Sequence, residues 1–420
     1  MSSRDIIVGI DVGSSNVRTV VAQVFPEEAN PRIIGVGTAF SNGVRKGIIV
    51  DLEETARAIN ESVEQAERTA GVNVNQAIVS IGGSHITSQN SKGVIAVGRA
   101  DGEVTEDDIA RVINAAQAIS IPANKEIIHI IPENYALDDN KSIKDPLGMN
   151  GVRLEVDAMI IEGSTPFIKN LTKCFDQAGI SARDFVLAPL AAAKSTLTKR
   201  QKELGVVLID IGGGTTSVAV FEENDLLHAT ILPVGGNHIT NDIAIGLRTS
   251  IDVAEKVKLE YGNASPREIG KKEEINLAEI DSQEEGIVSR YHVAEIIEAR
   301  LEEILTLVNK ELKSIGREKL LPAGAVIVGG TAKLPGVVDL TKNILGLPAQ
   351  AGFPMQLSGL IDQVDEPTYV TAVGLIMWGL ENAAVKSGAG LIKNKLIDNF
   401  SSGMGTSLGG MKKWLGKFLP

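Results

Sequence analysis

The sequence predicts an α/β protein built of two similar lobes. The main observation is a repeat near the start and again near the middle of the chain: an apolar strand, an Asp, a Gly-bearing turn and a second β-rich strand. The first copy is "DIIVGIDVG" followed by "VRTVVAQVF", and the second is "GVVLIDIGGGTTSVAVFEE". Asp11 corresponds to Asp210, an offset of about 200 residues, whereas solenoid repeats have periods of about 20 to 50. Each copy is typical of a β-hairpin, because β-branched runs flank a turn of small residues.

Helices are predicted between the two copies. Asp51 and Glu54 form a capping-box-like start, apolar residues follow at helical spacing, and Gly71 predicts the end. The acidic run at 105–108 opens a second helix. Residues 84–164 resemble neither hairpin copy, so we expect them to be an insertion.

The second half of the chain contains a long helix and a third Gly-rich element. Residues 293–315 are predicted to form an amphipathic helix, with apolar side chains along one side. "AGAVIVGGTAKLPGV" predicts a buried strand that runs into Gly-Gly and a helix start. After Lys386 the chain is rich in Gly, Ser and Asn, which is typical of a flexible linker.

Composition excludes several classes of function. The net charge of −12 argues against nucleic acid as a partner, because phosphate backbones attract basic surfaces. Cys174 is the only cysteine, which rules out an intrachain disulfide and fits a reducing compartment. The five histidines lack metal-ligand spacing, so no structural zinc is predicted. No apolar run reaches the roughly 20 residues that a membrane span needs.

The two Gly-bearing turns suit a polyphosphate. Glycine lets backbone approach a ligand closely and direct successive N–H groups at it. Two such turns that face each other would hold a polyphosphate from both sides, and Asp11 and Asp210 at the strand ends could hold Mg²⁺ through its waters. The third element, "VGGTAKLPG", could contact an adenosine through its backbone. The alternative reading is a set of ordinary turns, but a pair plus a third element argues against it, and neither GxxxxGK[ST] nor a GxGxxG after a strand is present.

These motifs, with a later "EPTYVTAVGL" segment, resemble the actin, hexokinase and DnaK superfamily. "AEKVKLEYG" resembles the segment that contacts ribose and adenine in related proteins, through Glu255 and Lys258, although a Glu and a Lys three residues apart also form ordinary helix ion pairs. The predicted cofactors are ATP and Mg²⁺. The predicted cofactor-binding residues are Gly13, Ser14, Ser15, Asn16, Gly212, Gly213, Gly214, Thr215, Gly235, Gly236, Glu255, Lys258, Gly329, Gly330 and Thr331, with Asp11 and Asp210 for the metal.

Residues 129–156, "HIIPENYALDDNKSIKDPLGMNGVRLEV", and the earlier "GVRKGIIVDLEETARAI" are similar to the FtsA family of bacterial cell-division proteins. The resemblance implies an actin-like, two-lobed ATPase fold of duplicated ribonuclease-H-like domains with an inserted subdomain. The implied parts are subdomain 1A at 1–83 and 165–204, subdomain 1C at 84–164, subdomain 2A at 205–243 and 306–385, subdomain 2B at 244–305, a flexible linker at 386–407 and a membrane-targeting amphipathic helix at 408–420.

The resemblance also bears on catalysis. DnaK and MreB relatives have a carboxylate just before a Pro-x-Ala-Ala-Ala segment, and it orients the attacking water. Here "LAPLAAA" puts Ala188 before Pro189. General-base assistance contributes about 10²- to 10⁴-fold in rate, so we expect at most a slow ATPase that acts mainly as a nucleotide-gated scaffold. The alternatives are a PilM-like scaffold of pilus assembly and a catalytically active actin-fold ATPase or kinase.

The family resemblance implies partners as well. FtsA proteins assemble into actin-like filaments, recruit the tubulin-like FtsZ through its C-terminal tail, and bind later division proteins through subdomain 1C. Arg300 corresponds to a position that contacts the FtsZ tail in the family, and Arg290 lies on the approach to the same helix. A guanidinium can pair bidentately with a peptide carboxylate. The alternative for Arg300 is a helix salt bridge to Glu303 or Glu295.

The chain ends in "GMKKWLGKFLP", which predicts a helix that lies in a membrane interface. One face carries Met411, Trp414, Leu415, Phe418 and Leu419 at helical spacing. Lys413 and Lys417 lie opposite, and Lys412 is at the border. The alternative is a helix docked on the protein's own core. Anchoring to anionic lipid, as in FtsA proteins, would locate the chain at the cytoplasmic face of the cell membrane, at the division site.

Overall fold

The computed structural model describes residues 5–118 and 121–386, apart from residues 26, 27 and 29. The first part of the chain forms β1 (Asp5–Val12), β2 (Asn16–Val24), β3 (Arg32–Phe40), β4 (Val44–Arg45), β5 (Ile48–Ile49), α1 (Leu52–Ala70) and β6 (Gln76–Ile81). An insertion follows, with β7 (Thr87–Ala96), α2 (Glu106–Gln117), β8 (Lys125–Leu137), β9 (Asn140–Ile143) and β10 (Arg153–Ser164). The chain then forms α3 (Thr165–Gln177), β11 (Ser181–Leu187), α4 (Ala188–Thr196) and α5 (Lys199–Leu204).

The second half contains β12 (Val206–Ile211), β13 (Thr216–Glu222), β14 (Asp225–Leu232), α6 (Gly236–Leu247), α7 (Ile251–Tyr261), β15 (Glu274–Asn276), α8 (Leu277–Ile280), β16 (Ile287–Ser289) and α9 (Arg290–Ser314). It continues with β17 (Ala325–Val328), α10 (Val337–Leu345), β18 (Ala349–Ala351), β19 (Ser358–Gly359) and α11 (Val370–Lys386). Short 3₁₀ turns lie at Pro266–Glu268, Gly330–Lys333 and Ile361–Gln363.

Two mixed sheets form the two lobes, and each is centred on one hairpin copy. The first sheet has the order β11-β6-β1-β2-β3-β19, and the second has the order β14-β13-β12-β17-β18. In each lobe the first strand of the hairpin pairs with a parallel strand on its other side, β6 in the first lobe and β17 in the second. The repeat predicted from sequence is therefore a duplication of one sheet arrangement.

The predicted helix ends are confirmed. The Asp51 side chain accepts the Glu54 N–H at 3.0 Å, and Gly71 ends α1 in the left-handed conformation. Thr105 and Asp108 form a reciprocal capping box at the start of α2. The long helix predicted at 293–315 is α9, which starts earlier, at Arg290, and ends at Ser314. The third Gly-rich element differs in one respect: β17 runs into a 3₁₀ turn at Gly330–Lys333, and α10 starts only after Pro335 and Gly336.

The insertion is a separate small sheet with one helix. Its order is β7-β10-β8-β9, and β10 pairs antiparallel with both of its neighbours. Helix α2 covers one face, and its core joins Val112 and Ile113 to Leu154 and Ile160. The insertion also contacts the second lobe, where the Ser88 hydroxyl donates to the Ala229 carbonyl at 3.2 Å.

The last described helix packs on the first lobe, which differs from the predicted range of 306–385 for subdomain 2A. Val373 and Ile376 of α11 share a core cluster with Ile7 and Ile78 of the first sheet, and β19 pairs with β3. A methyl group added at Gly374 would lie 1.8 Å from the Ala191 carbonyl oxygen. α11 thus approaches the backbone of α4, which only a glycine allows.

Candidate functional site

The two Gly-bearing turns have the same geometry. The Gly13 N–H donates to the Asn16 carbonyl at 3.0 Å, and the Gly212 N–H donates to the Thr215 carbonyl at 3.0 Å. The strand register around the turns also matches, with Asp11 opposite Arg18 in one hairpin and Asp210 opposite Ser217 in the other. The two copies therefore present equivalent backbone, one from each lobe.

The tips of the two turns are in contact. The Ser15 hydroxyl donates to the Asn237 side-chain oxygen at 3.2 Å, which joins the first turn to the start of α6. A methyl group at Gly213 would lie 2.0 Å from Ser15 Oγ, and one at Gly214 would lie 2.7 Å from Ser14 Oγ. A Cβ at Gly214 would also lie 2.8 Å from the Lys46 backbone nitrogen, so both glycines allow close approach of the first lobe.

The two carboxylates of the repeat interact across the cleft. Asp11 Oδ1 accepts a hydrogen bond from Ser80 Oγ at 2.7 Å, while desolvation raises the pKa of Asp11. Desolvation is the main cause that raises the pKa of Asp210 to about 7, and the negative charge of Asp11 adds to it. The charge of Arg18 and a hydrogen bond from Thr371 act in the opposite direction. Two carboxylates that repel each other in a desolvated cleft suit a divalent cation, because the cation would relieve both effects.

Arg18 is a site residue that the sequence reasoning missed. It lies on β2 opposite Asp11, and its charge opposes the rise in pKa that desolvation causes at Asp11 and Asp210. The pKa of Glu366 is lowered mainly by the hydrogen bond from Lys333, and Arg18 adds to this effect. Its guanidinium carbon is 5.6 Å from the centre of the Tyr369 ring. The available signal was that Arg18 is the single charged residue in the strand "NVRTVVAQV". A half-buried cation beside the turns is suited to a polyphosphate.

The start of α6 supports the second turn. The Gly236 N–H donates to the Gly212 carbonyl and the Asn237 N–H to the Gly213 carbonyl, both at 2.8 Å. A methyl group at Gly235 would lie 2.5 Å from the Gly212 carbonyl oxygen. The first N–H groups of the helix are therefore used to fix the orientation of the turn carbonyls.

The structure brings Glu255 and Lys258 beside the same helix start. Lys258 is 8% exposed, and its ammonium donates to Thr240 Oγ1 at 2.8 Å, to Glu255 Oε2 at 2.6 Å and to the Gly236 carbonyl at 3.3 Å. An ammonium has three donors, so the cation of Lys258 is satisfied within the protein. The Glu255 side chain is 40% exposed and is the more accessible of the pair.

The third Gly-rich element closes the site from the side of the second lobe. Gly329 has φ +84°, and a methyl group there would lie 2.4 Å from Asp210 Oδ1. A methyl group at Gly236 would lie 2.8 Å from Thr331 Oγ1. Gly329 and Thr331 therefore lie beside Asp210 and the start of α6, and an adenosine contact by this element stays a prediction.

Ala188 is the first residue of α4, directly before Pro189. A methyl group at Gly82 would be 3.9 Å from Ala188 Cβ, which places this helix start next to the end of β6. The preceding Leu187 N–H donates to His129 Nε2 at 2.9 Å.

The two arginines predicted to bind a partner are paired within the chain. Arg300 on α9 donates from Nε and Nη2 to the two carboxylate oxygens of Asp242 at 2.6 and 2.9 Å, and it also pairs with Glu303. Arg290 donates to the Tyr261 carbonyl at 3.0 Å and to Glu273 at 2.7 Å. The predicted membrane-binding residues, 411–415 and 417–419, lie outside the described part of the chain.

Comparison with known proteins identifies the family. The family model for cell division protein FtsA matches residues 207–374, and the model for the SHS2 domain inserted in FtsA matches residues 83–162. Cell division protein FtsA of Pseudomonas aeruginosa is 40% identical over 381 residues, which cover 91% of each chain. The chain belongs to the FtsA family. FtsA of Bacillus subtilis is also 40% identical, over 92% of this chain and 86% of the relative, and FtsA of Escherichia coli is 33% identical, over 91% and 92%.

Solved structures support an actin-like fold for this FtsA-family chain. The PilM–PilN type IV pilus biogenesis complex superposes with a TM-score of 0.66 at 17% identity, covering 90% of this chain and 99% of the other. MreB5 of Spiroplasma citri bound to ADP superposes with a TM-score of 0.53 at 15% identity, covering 92% and 99%. No helix in the described part of the chain is both long and apolar enough to cross a bilayer. Within those residues, no three His, Cys, Asp or Glu side chains cluster as a candidate metal site.

Proposed function

We propose that this chain is an ATP-binding, actin-like scaffold that polymerises on the cytoplasmic face of the cell membrane and tethers FtsZ filaments to it. The proposal rests mainly on the pair of equivalent turns that meet across the cleft. Asp11 and Asp210 precede these turns, and the charge of Asp11 contributes to the raised pKa of Asp210. Membership of the FtsA family supports the role in cell division. The fold neighbour bound to ADP supports a nucleotide as the ligand of such a cleft.

The residues of the cleft fit Mg²⁺ and a nucleotide. Mg²⁺ is usually held by one or two carboxylates, several waters and substrate phosphates, and Asp11 and Asp210 would supply the two carboxylates. When bound, the metal would neutralise charge on the phosphates. The chain's own groups would bind and orient the ligand: the turn N–H groups and Arg18 on the phosphates, and Glu255 with Gly329–Thr331 on the adenosine.

Hydrolysis should be slow because the start of α4 lacks a general base. Ala188 occupies the position at which relatives with efficient turnover carry a carboxylate, and a methyl group neither accepts a proton nor aligns a water. The missing assistance corresponds to about 10²- to 10⁴-fold in rate. Filament assembly would then depend on whether ATP is bound rather than on the rate of ATP hydrolysis.

The surface around Arg300 has the chemistry to bind the FtsZ tail. Ile245 on α6 is 77% exposed, and α6 packs on α9. Leu259, which is 69% exposed, lies on α7, and α7 packs on α6. Arg300 pairs with Asp242 on α6 through its guanidinium group. A peptide carboxylate would compete with Asp242 for the same two N–H donors. An acidic peptide with apolar residues would fit such a surface.

Membrane attachment is proposed through the terminal segment. Each lysine contributes about 1 kcal/mol of binding free energy near an anionic leaflet. The entropic cost of ordering the helix offsets part of this gain. A single tail would bind weakly, whereas a filament that presents many tails would bind tightly through avidity. Later division proteins would bind the inserted subdomain 1C. A PilM-like role is not favoured, because the PilM likeness at 17% identity concerns the fold alone.

A liposome recruitment assay tests the whole proposal. FtsZ should co-sediment with vesicles that contain anionic lipid only when this chain and MgATP are present. The Trp414→Glu variant should lose vesicle binding while it keeps nucleotide binding, because a charge would enter the apolar face. Lys412→Ser at the border of the face is the matched control and should weaken attachment only modestly. FtsZ recruitment that persists with Trp414→Glu, or that occurs equally on neutral lipid, would contradict the proposal.

A further inference from the structure

The short hairpin of residues 44–49 has no role in the function proposed above. It consists of β4 and β5 joined by a two-residue turn, Lys46–Gly47, within the family-like "GVRKGIIVD". Both turn residues have positive φ, 52° at Lys46 and 72° at Gly47. Turns of this type favour Asn, Asp or Gly at the first position. A lysine there is held in a backbone conformation that its side chain disfavours, which points to a need for the ammonium group.

The tip of this hairpin contacts both Gly-bearing turns. The Gly47 N–H donates to Ser14 Oγ in the turn of the first lobe at 3.0 Å. A methyl group at Gly214 in the turn of the second lobe would lie 2.8 Å from the Lys46 backbone nitrogen. Lys46 therefore lies where the two lobes meet, directly against the backbone that is suited to phosphate.

Lys46 is an exposed cation without an ion-pair partner in the part of the chain that the structure describes, residues 5–118 and 121–386 apart from 26, 27 and 29. It lies beside Gly214 of the second turn. The start of that turn, Gly212, accepts a hydrogen bond from Gly236 at the start of α6, and Gly236 approaches Thr331 and Lys258. The predicted adenosine contacts are on the Gly236 side. A nucleotide laid along the turn would thus have its base near Thr331 and its outermost phosphate near Lys46.

We propose that Lys46 binds the terminal phosphate of a nucleoside triphosphate and makes the cleft prefer the triphosphate to the diphosphate. This inference rests on the proposed nucleotide binding. The lysine is a compact cation on a flexible four-carbon stem, so its ammonium can reach a terminal phosphate. The terminal phosphate of ATP differs from that of ADP in position and charge. Loss of that phosphate removes the group that the ammonium contacts, so the hairpin tip senses which nucleotide is bound.

The test compares MgATP and MgADP affinities by calorimetry for the full chain and three variants. Lys46→Gly removes the ammonium and suits the positive φ, so it should fold at least as well as the wild type in a thermal melt. Lys46→Arg keeps the charge. Arg45→Ala removes the neighbouring exposed cation from the same hairpin and is the matched control.

Lys46→Gly should weaken MgATP binding by about tenfold and MgADP binding by less than twofold, because one charge-assisted contact is lost from the terminal phosphate only. Lys46→Arg should keep most of the preference for ATP, and Arg45→Ala should leave both affinities unchanged. An unchanged affinity for MgATP in Lys46→Gly, or an equal loss for both nucleotides, overturns the inference and leaves nucleotide binding intact. Absence of nucleotide binding by the wild type overturns the proposed function, and this inference with it.

Discussion

His129 is a buried, neutral histidine that joins the insertion to the first lobe. It lies on β8, it is 6% exposed, and its Nε2 accepts the Leu187 N–H just before α4. Its ring centre is 5.4 Å from that of Trp378 on α11. Burial lowers the pKa of His129 from 6.5 to about 4. Because a protonated imidazole has no acceptor, this contact requires the neutral form.

Protonation of His129 should destabilise the fold at mildly acidic pH. The unfolded chain binds this proton below about pH 6.5 and the folded chain only below about pH 4, so stability falls as the pH drops through that window, by on the order of 3 kcal/mol. His129→Gln retains an acceptor that does not titrate, and its melting temperature should fall less between pH 7 and pH 4.5. His292→Gln, at a histidine that is 55% exposed, is the control and should behave as wild type. Identical pH profiles for the His129 variant and the wild type would rule out this role.

At the residue scale, the sequence predicts those site residues that occur at equivalent positions in both copies of the repeat. Asp11 and Asp210 occur at equivalent places in two copies, so each supports the assignment of the other. Ser80, which donates to Asp11 from 69 positions away, has no such marker, because its role depends on the parallel pairing of β6 with β1. Arg18 was likewise missed because its neighbours Glu366 and Tyr369 come from a distant part of the chain.

At the element scale, helix ends were predictable and helix partners were not. Caps such as Asp51 and Thr105 act within a few residues, so the local sequence contains the whole signal. The pairing of Arg300 with Asp242 joins residues 58 positions apart on α9 and α6. The alternative expected from sequence was an ion pair with Glu303 or Glu295 on the same helix. The pair with Glu303 is present, and it is the weaker, more exposed half of the observed arrangement.

The α6–α9 pair gives a direct test of the role of Arg300. If Arg300 binds the FtsZ tail, Arg300→Gln should weaken binding of the tail peptide by about tenfold, measured by fluorescence anisotropy. Asp242→Asn removes the competing carboxylate and should keep or raise the affinity. Arg317→Gln, which breaks a similar pair with Glu222 elsewhere, is the control for general loss of an arginine. Equal weakening by Arg300→Gln and Asp242→Asn would instead show that the pair only holds the two helices together.

At the scale of the whole molecule, the lobes are joined by segments that are far apart in sequence. α11 returns to the first sheet, and the insertion contacts β14 through a Lys144–Asp225 ion pair and through Ser88. Neither contact was predictable, because both depend on how complete lobes meet. Since α11 packs on β1 and α4, the linker predicted after Lys386 starts from the first lobe, which also carries the insertion and the first turn.

A magnesium nucleotide should bind between the two turns, and its binding should depend on both lobes. Calorimetric titration of MgATP into the full chain, into Asp210→Asn and into Asp339→Asn tests this binding most directly. Asp339 is a control in the same lobe, because its side chain is 70% exposed on α10 and pairs with Lys342 of that helix. We predict that the wild type and Asp339→Asn bind MgATP equally, and that Asp210→Asn loses at least about tenfold in affinity because a metal-binding carboxylate is removed. No MgATP binding by the wild type, or equal binding by all three proteins, would rule out a magnesium nucleotide site between the two turns.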